Sequence, residues 1–111
     1  MARFHDGWIL EMCILAALTS KDAYGYEIIK NPKLGISEST VYPVLRRLKD
    51  QKLLTVHSEQ HNTRLRKIYH ITEDGHKALE ERKDIWKEFQ NNVNAVLSGS
   101  EVEKKSKNFL N

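Results

Sequence analysis

The chain has too little of several things that define whole classes of protein. It has one cysteine, Cys13, so no intrachain disulfide is possible and a reducing compartment is expected. The longest apolar stretch, Trp8 to Leu18, is interrupted by Glu11 and too short to span a bilayer. Without a basic leader or a cleavage site it is not read as a signal peptide, and the expected location is the cytoplasm, with no membrane partner. Gly-rich phosphate loops, nucleophile motifs and paired carboxylates are missing, so neither an enzyme nor a cofactor is expected. His57 and His61 stand at i, i+4, but on a predicted strand and loop and without cysteine or clustered carboxylates, so no metal site is expected. Repeats, low-complexity segments and Gly/Ser linkers are absent too. The 111 residues therefore have room for one domain and an element projecting from it.

Charge is present and unevenly placed. Residues 1–32 carry three Lys/Arg against four Asp/Glu, whereas residues 33–72 carry eight against three, a local net charge of +5. Residues 73–103 reverse the sign, with four against eight, and the last eight residues add +3. A polyanion is drawn to the middle of such a chain.

Periodicity divides the chain into elements. Leu10, Ile14, Ala17 and Leu18 fall at helical spacing and predict a helix over 7–19, with Trp8 and Cys13 joining its apolar side. A short helix over 24–30 follows, stopped by Asn31-Pro32. Ser37 is a good N-cap for a third helix, with Ile36 and Val41 in staple positions. Val41, Leu45 and Leu48, with Val44, mark its buried face; Pro43 predicts a kink or a loosened first turn. After Gln51 the period becomes strand-like, and residues 53–60 and 65–71 predict a hairpin with its tip near 61–64. Thr72 caps a last helix reaching Leu97, where Gly75 weakens the first turn. Leu79, Trp86 and Val93 lie seven apart on it, flanked by Ile85, Phe89, Val96 and Leu97. That stripe needs covering, and a second copy of the chain is the natural partner. The expected organisation is a mainly α fold with a small β-hairpin: residues 1–72 a winged helix-turn-helix domain, 73–97 a dimerisation helix, 98–111 a flexible tail.

Three helices followed by a hairpin suit a reader of double-stranded DNA. The third helix has an apolar face to anchor it and presents Ser39, Tyr42, Pro43 and Arg46 on the other, with Arg47 and Lys49 further round. Ser39 and Thr40, at its N-terminal end, are placed for base edges; Arg46 and Arg47 are placed for phosphates. The hairpin supplies Arg64, Arg66 and Lys67 for a phosphate or a minor groove. Other roles stay open for these residues: Tyr42 covering the core edge, the hairpin cations protecting a sheet edge. The alternative from another class is a winged-helix protein-interaction module without DNA binding.

Ordered motifs then bring a family into view. The segments GWILEMCIL (residues 7–15), YGYEI (24–28), ISESTVYPVLRRL (36–48), RKIYHIT (66–72) and EDG (73–75) resemble successive signatures of the PadR family of transcriptional regulators, over roughly residues 7–97. The resemblance implies a homodimer whose C-terminal helix packs on its mate, acting as a repressor released by a small molecule at an inverted-repeat operator. It implies that the segment from Ser37 to Arg47 enters the major groove, that Tyr24 contacts the backbone, and that Arg64, Arg66 and Lys67 flank it. Trp86 stands where multidrug-sensing members carry a tryptophan, so a flat aromatic effector can stack there; filling the dimer seam is the competing role. Trp8 can line the same cavity or pack in the first-helix core. The chain resembles the short-tailed branch and departs from the family in two places. The stretch between Tyr26 and Ser37 is short, and Gln51-Lys52 replaces the glycine usual after the third helix.

Overall fold

Helical spacing gives way to alternation at Gln51, and in the structure, a computed structural model describing residues 7–31, 35 and 37–99, the chain changes from helix to strand within four residues of it. The elements run α1 (Trp8–Ala17), β1 (Ala23–Tyr24), α2 (Gly25–Ile29), α3 (Glu38–Asp50), β2 (Leu54–His61), β3 (Arg64–Ile71) and α4 (Glu73–Ser98). They form two compact units, one ending at Leu79 and the other beginning at Glu80. Among the described residues, no helix is long and apolar enough to cross a membrane.

The hairpin gains a strand that alternation alone did not predict. β1 pairs antiparallel with β3 through Ala23↔Tyr69 and Tyr24↔Ile68, so the sheet is three-stranded in the order β1-β3-β2. β2 and β3 are in register from Leu54↔Ile71 to His61↔Arg64, which leaves a two-residue turn at Asn62-Thr63. The turn has no glycine; Asn62, at φ 58°, takes the left-handed conformation instead. Alternation puts Leu54, Tyr69 and Ile71 on the face toward the helices, where they join Ile14, Leu15, Leu18, Ile28, Val41, Val44, Leu45 and Leu48 in one core.

Both ends of α3 differ from expectation. Ser37 is the N-cap residue, but its hydroxyl makes no cap bond; it lies 3.1 Å from Ser39 Oγ and 3.2 Å from Thr40 Oγ1. The Ser37 carbonyl instead accepts from both Thr40 N and Val41 N, at 3.1 and 3.0 Å. Three neighbouring hydroxyls on an exposed helix end satisfy one another, which explains the diverted cap. Ile36 and Pro32, expected to staple and to stop helices, fall outside the described residues, as do residues 100–111 of the expected tail. Pro43 sits inside α3, which runs without a break from Glu38 to Asp50.

At the other end, Leu53 N donates to the Leu48 carbonyl at 3.0 Å and Lys52 N to the Lys49 carbonyl at 2.9 Å. This double closure is a Schellman motif, and Lys52 occupies its left-handed position at φ 64°. The chain therefore makes the turn into the wing with a lysine where a glycine is the unstrained choice. Thr72 does cap α4: its hydroxyl accepts from Gly75 N at 3.0 Å and donates to the Lys52 carbonyl at 2.8 Å, pinning the same turn.

Leu79 requires a correction. The seven-residue stripe placed it in a dimer seam, but it is 1 % exposed and belongs to the core of the first unit, because the opening turns of α4 still pack on that core. Trp8 is 6 % exposed, in keeping with first-helix packing. In the second unit, Ile85, Trp86, Phe89 and Val93 are half-buried while Val96 and Leu97 are exposed. The Trp86 and Phe89 rings lie 6.2 Å apart, tilted by 39°.

Relief of the left-handed strain makes Lys52→Gly a stabilising change. It is expected to raise the unfolding free energy by about 1 kcal/mol, seen as a higher denaturant midpoint at unchanged slope.

Candidate nucleic-acid interface

α3 carries three kinds of residue on three sides. Its buried side is Val41, Val44, Leu45 and Leu48. Ser39, Thr40, Tyr42, Pro43 and Arg46 are exposed, on the side expected to meet DNA. Arg47 turns elsewhere. Its Nε donates to Glu11 Oε2 at 2.6 Å, and the Glu11 side chain is 1 % exposed. The sequence placed Arg47 with Arg46 for phosphates; the structure gives it a bond to α1, since successive helix residues point about 100° apart. Gly7, N-cap of α1 at φ 88°, leaves room for this: a Cβ there would meet Arg47 Nη2 at 2.5 Å. Sequence reasoning treated Glu11 only as an interruption of an apolar run. The missed signal was its position, three and four residues before Ile14 and Leu15 on the buried side of α1.

Beside the exposed side of α3 opens a cleft of about 510 Å³, lined by residues of α2, α3, β1 and β3. All four tyrosines of the chain line it: Tyr24, Tyr26, Tyr42 and Tyr69, together with Arg64, Leu65, Arg66 and Lys67. Tyr42 rests on the start of α2, where only a glycine leaves space; a Cβ on Gly25 would lie 2.9 Å from its ring. Tyr42 thus covers the edge of α2 and still faces the cleft. Burial pushes the Tyr69 phenol above its usual range; nearby Tyr42 adds to this and Arg46 opposes it.

Tyr24 is held by the wing. Its hydroxyl donates to Glu59 Oε1 at 3.2 Å, its backbone N–H donates to Glu27 Oε1 at 2.9 Å, and the Arg66 guanidinium lies over its ring at 5.2 Å. His61 meets the ring edge-on at 6.4 Å, and His57 Nε2 lies 3.9 Å from Glu59 Oε2. Desolvation raises the Tyr24 phenol above its usual range, and the Glu59 carboxylate raises it further. The histidines that attracted attention at i, i+4 thus belong to a polar cluster on the outer face of the hairpin. Among the described residues, no group of three or more His, Cys, Asp or Glu is arranged to hold a metal. Glu59, Tyr26 and Leu65 were not anticipated; only the cross-strand register brings Glu59 opposite Arg66. Just before β1, Asp22 Oδ1 pairs with His70 Nδ1 of β3 at 2.7 Å.

A helix-turn-helix with a basic hairpin beside its third helix is a winged helix-turn-helix. The chain belongs to the Transcriptional regulator PadR-like family, whose signature matches residues 14–81. A Lysinibacillus sphaericus protein is 30 % identical over 99 residues, covering 83 % of this chain and 91 % of its own. Among solved structures, a protein of Streptococcus mutans is similar at a TM-score of 0.74 and 34 % identity, over 82 % of this chain and 88 % of that one. A PadR family transcriptional regulator from Eggerthella lenta is similar at a TM-score of 0.73 and 32 % identity, over 79 % and 80 %. Bacillus subtilis PadR, solved in complex with operator DNA, is similar at a TM-score of 0.62 and 28 % identity, over 66 % of this chain and 45 % of that one.

The neighbouring arginines of α3 are expected to behave oppositely. Arg47→Ala removes a charge-assisted bond to the buried Glu11 carboxylate and should lower the unfolding free energy by about 2 kcal/mol. Arg46→Ala should change it by less than about 0.5 kcal/mol. Equilibrium denaturation of both variants measures the contrast.

Proposed function

We propose that the chain is a sequence-specific, DNA-binding transcriptional regulator of the cytoplasm, a repressor that binds an inverted repeat as a homodimer and is released by a small aromatic ligand. The observation that carries this reading is the cleft between α3 and the wing. A surface of four tyrosines with Arg64, Arg66 and Lys67 beside the exposed Ser39, Thr40 and Arg46 suits a sugar-phosphate ribbon. With α3 in the major groove, Ser39 and Thr40 approach base edges and Arg46 a phosphate, while the wing holds the strand beyond. Ser37 and Pro43 shape the entry of the helix. Tyr24, fixed by Glu59 and Arg66, presents its ring edge to the backbone.

The homodimer is supported by the apolar residues of α4 beyond Leu79: Ile85, Trp86, Phe89, Val93, Val96 and Leu97, the last two exposed. In this reading residues 73–97 join two copies, and residues 1–72 read DNA. The aromatic effector is supported by the half-buried Trp86 with Phe89 against it, two apolar ring faces that a flat molecule can extend. Trp8, being buried, takes no direct part.

The test is an anisotropy titration of the duplex upstream of the chain's own gene, at several salt concentrations, with a scrambled duplex as control. Selective binding is expected, weakening by about a thousandfold between 50 and 200 mM salt for six or more phosphate contacts. Arg46→Ala should weaken it and flatten that slope. No binding to either duplex even at the lowest salt concentration would overturn the reading in favour of a protein-interaction module. Phe89→Glu, with a charge in the seam, is expected to sediment as a monomer; a dimer would place the seam elsewhere.

A further inference from the structure

Among the described residues, Glu11 is the one buried charged side chain, on a side of α1 whose other buried members are Trp8, Ile14 and Leu15. Arg47, half-buried on α3, reaches its Oε2 with Nε at 2.6 Å. The first turn of α1 is shaped around that bond. Glu11 N donates to the Gly7 carbonyl at 2.7 Å. Gly7 itself, at φ 88°, lies so close to α3 that a Cβ would meet Arg47 Nη2 at 2.5 Å and Val44 Cγ2 at 3.7 Å. Stability alone does not call for such a pair, because packed apolar side chains of similar volume often replace a buried ion pair at no loss. What the pair adds is direction: one nitrogen must point at one oxygen.

We propose that Arg47 is a positioning residue for DNA recognition. Through Glu11 it sets the pose of α3, and so the bases that Ser39 and Thr40 reach, without touching DNA itself. The proposal rests on the DNA-binding reading above and deepens it. Two observations carry it. Arg46 is exposed along with Ser39 and Thr40, whereas the Arg47 guanidinium is turned to α1, about 100° further round the helix. The carboxylate that holds it is 1 % exposed, so nothing bound at the surface of α3 reaches Glu11. A change at Glu11 therefore acts on DNA binding through Arg47 or through net charge, and these routes have opposite signs. Neutralising Glu11 removes a negative charge, which favours a polyanion. Releasing Arg47 frees α3 to shift, which penalises the one sequence it is posed to read. Base edges need partners held within about 0.5 Å, while a phosphate accepts a mobile cation, so the loss falls on selective binding.

The experiment selects duplexes from a random pool with the full chain. The selected duplex and a scrambled one are then titrated by anisotropy across salt concentrations, at a temperature where circular dichroism shows each variant folded. Glu11→Gln keeps the shape of the side chain and removes its charge; the double variant Glu11→Met/Arg47→Met removes the bond and leaves an apolar pair. Both are expected to lose about tenfold on the selected duplex, the scale of one mismatched base pair, and to bind the scrambled duplex within about twofold of wild type. The double variant should keep the wild-type salt slope. Three results would each overturn the proposal and leave DNA binding intact. Wild-type affinity of both variants for the selected duplex would make the pair structural only. Tighter binding of Glu11→Gln to both duplexes would reduce its effect to net charge. A slope smaller by about one in the double variant would put Arg47 on a phosphate. Recovery of no sequence by wild type would sink the DNA-binding reading itself, and this proposal with it.

Discussion

Placing a carboxylate in an apolar interior costs several kcal/mol unless a cation meets it with good geometry. In this chain the carboxylate is Glu11 on α1 and the cation is Arg47 on α3, at 2.6 Å. Apolar contacts between two helices tolerate sliding and rotation, because many packings bury similar areas. A directed bond to one buried oxygen does not. The pair sets the register of α3 against α1, and with it the position of the exposed Ser39, Thr40, Tyr42 and Arg46. Arg47 has this role while Arg46, one residue earlier, remains on the surface. Gly7 completes the arrangement by leaving the guanidinium its space.

A second constraint acts where α3 becomes the wing. The Schellman closure at Leu48–Leu53 and the Thr72 hydroxyl on the Lys52 carbonyl tie the end of α3, the start of β2 and the start of α4 to one turn. The angle between α3 and the wing, and with it the cleft, depends on that turn. Lys52 holds it in a conformation disfavoured by about 1–2 kcal/mol for a residue with a Cβ. The surrounding bonds keep it there, as expected of strain held by its context.

Much of this was legible before any coordinates. Element order, the hairpin, the buried face of α3 and the basic middle of the chain follow from periodicity and charge, which are local. The missing parts depend on contacts distant in sequence. β1 is two residues long and exists because β3 lies beside it, so no alternation could reveal it. Leu79 fitted a seven-residue stripe as well as it fits the core, and spacing alone does not say where along a long helix its surroundings change. Ser37 was recognised as an N-cap, but its hydroxyl turned to Ser39 and Thr40, a competition among equal donors that residue preference does not resolve. Arg47 and Glu11 are thirty-six residues apart, and only the folded chain joins them.

The wing also explains an acidic residue on a basic element. An isolated two-stranded ribbon is marginally stable, and one that must hold a polyanion cannot be filled with cations alone without repelling itself. Glu59 sits opposite Arg66, accepts from Tyr24 and has His57 within 3.9 Å, so the outer face of the hairpin is internally satisfied. Its single negative charge lowers the positive potential of the ribbon but restrains Tyr24 and Arg66 in the free chain. Side chains ordered in advance lose less entropy at the interface, roughly 0.5–1.5 kcal/mol for each one already held. The two faces of the hairpin thus differ: on the outer one Tyr24, Glu59 and Arg66 hold one another, and the inner one carries Leu65 and Lys67 exposed at the cleft.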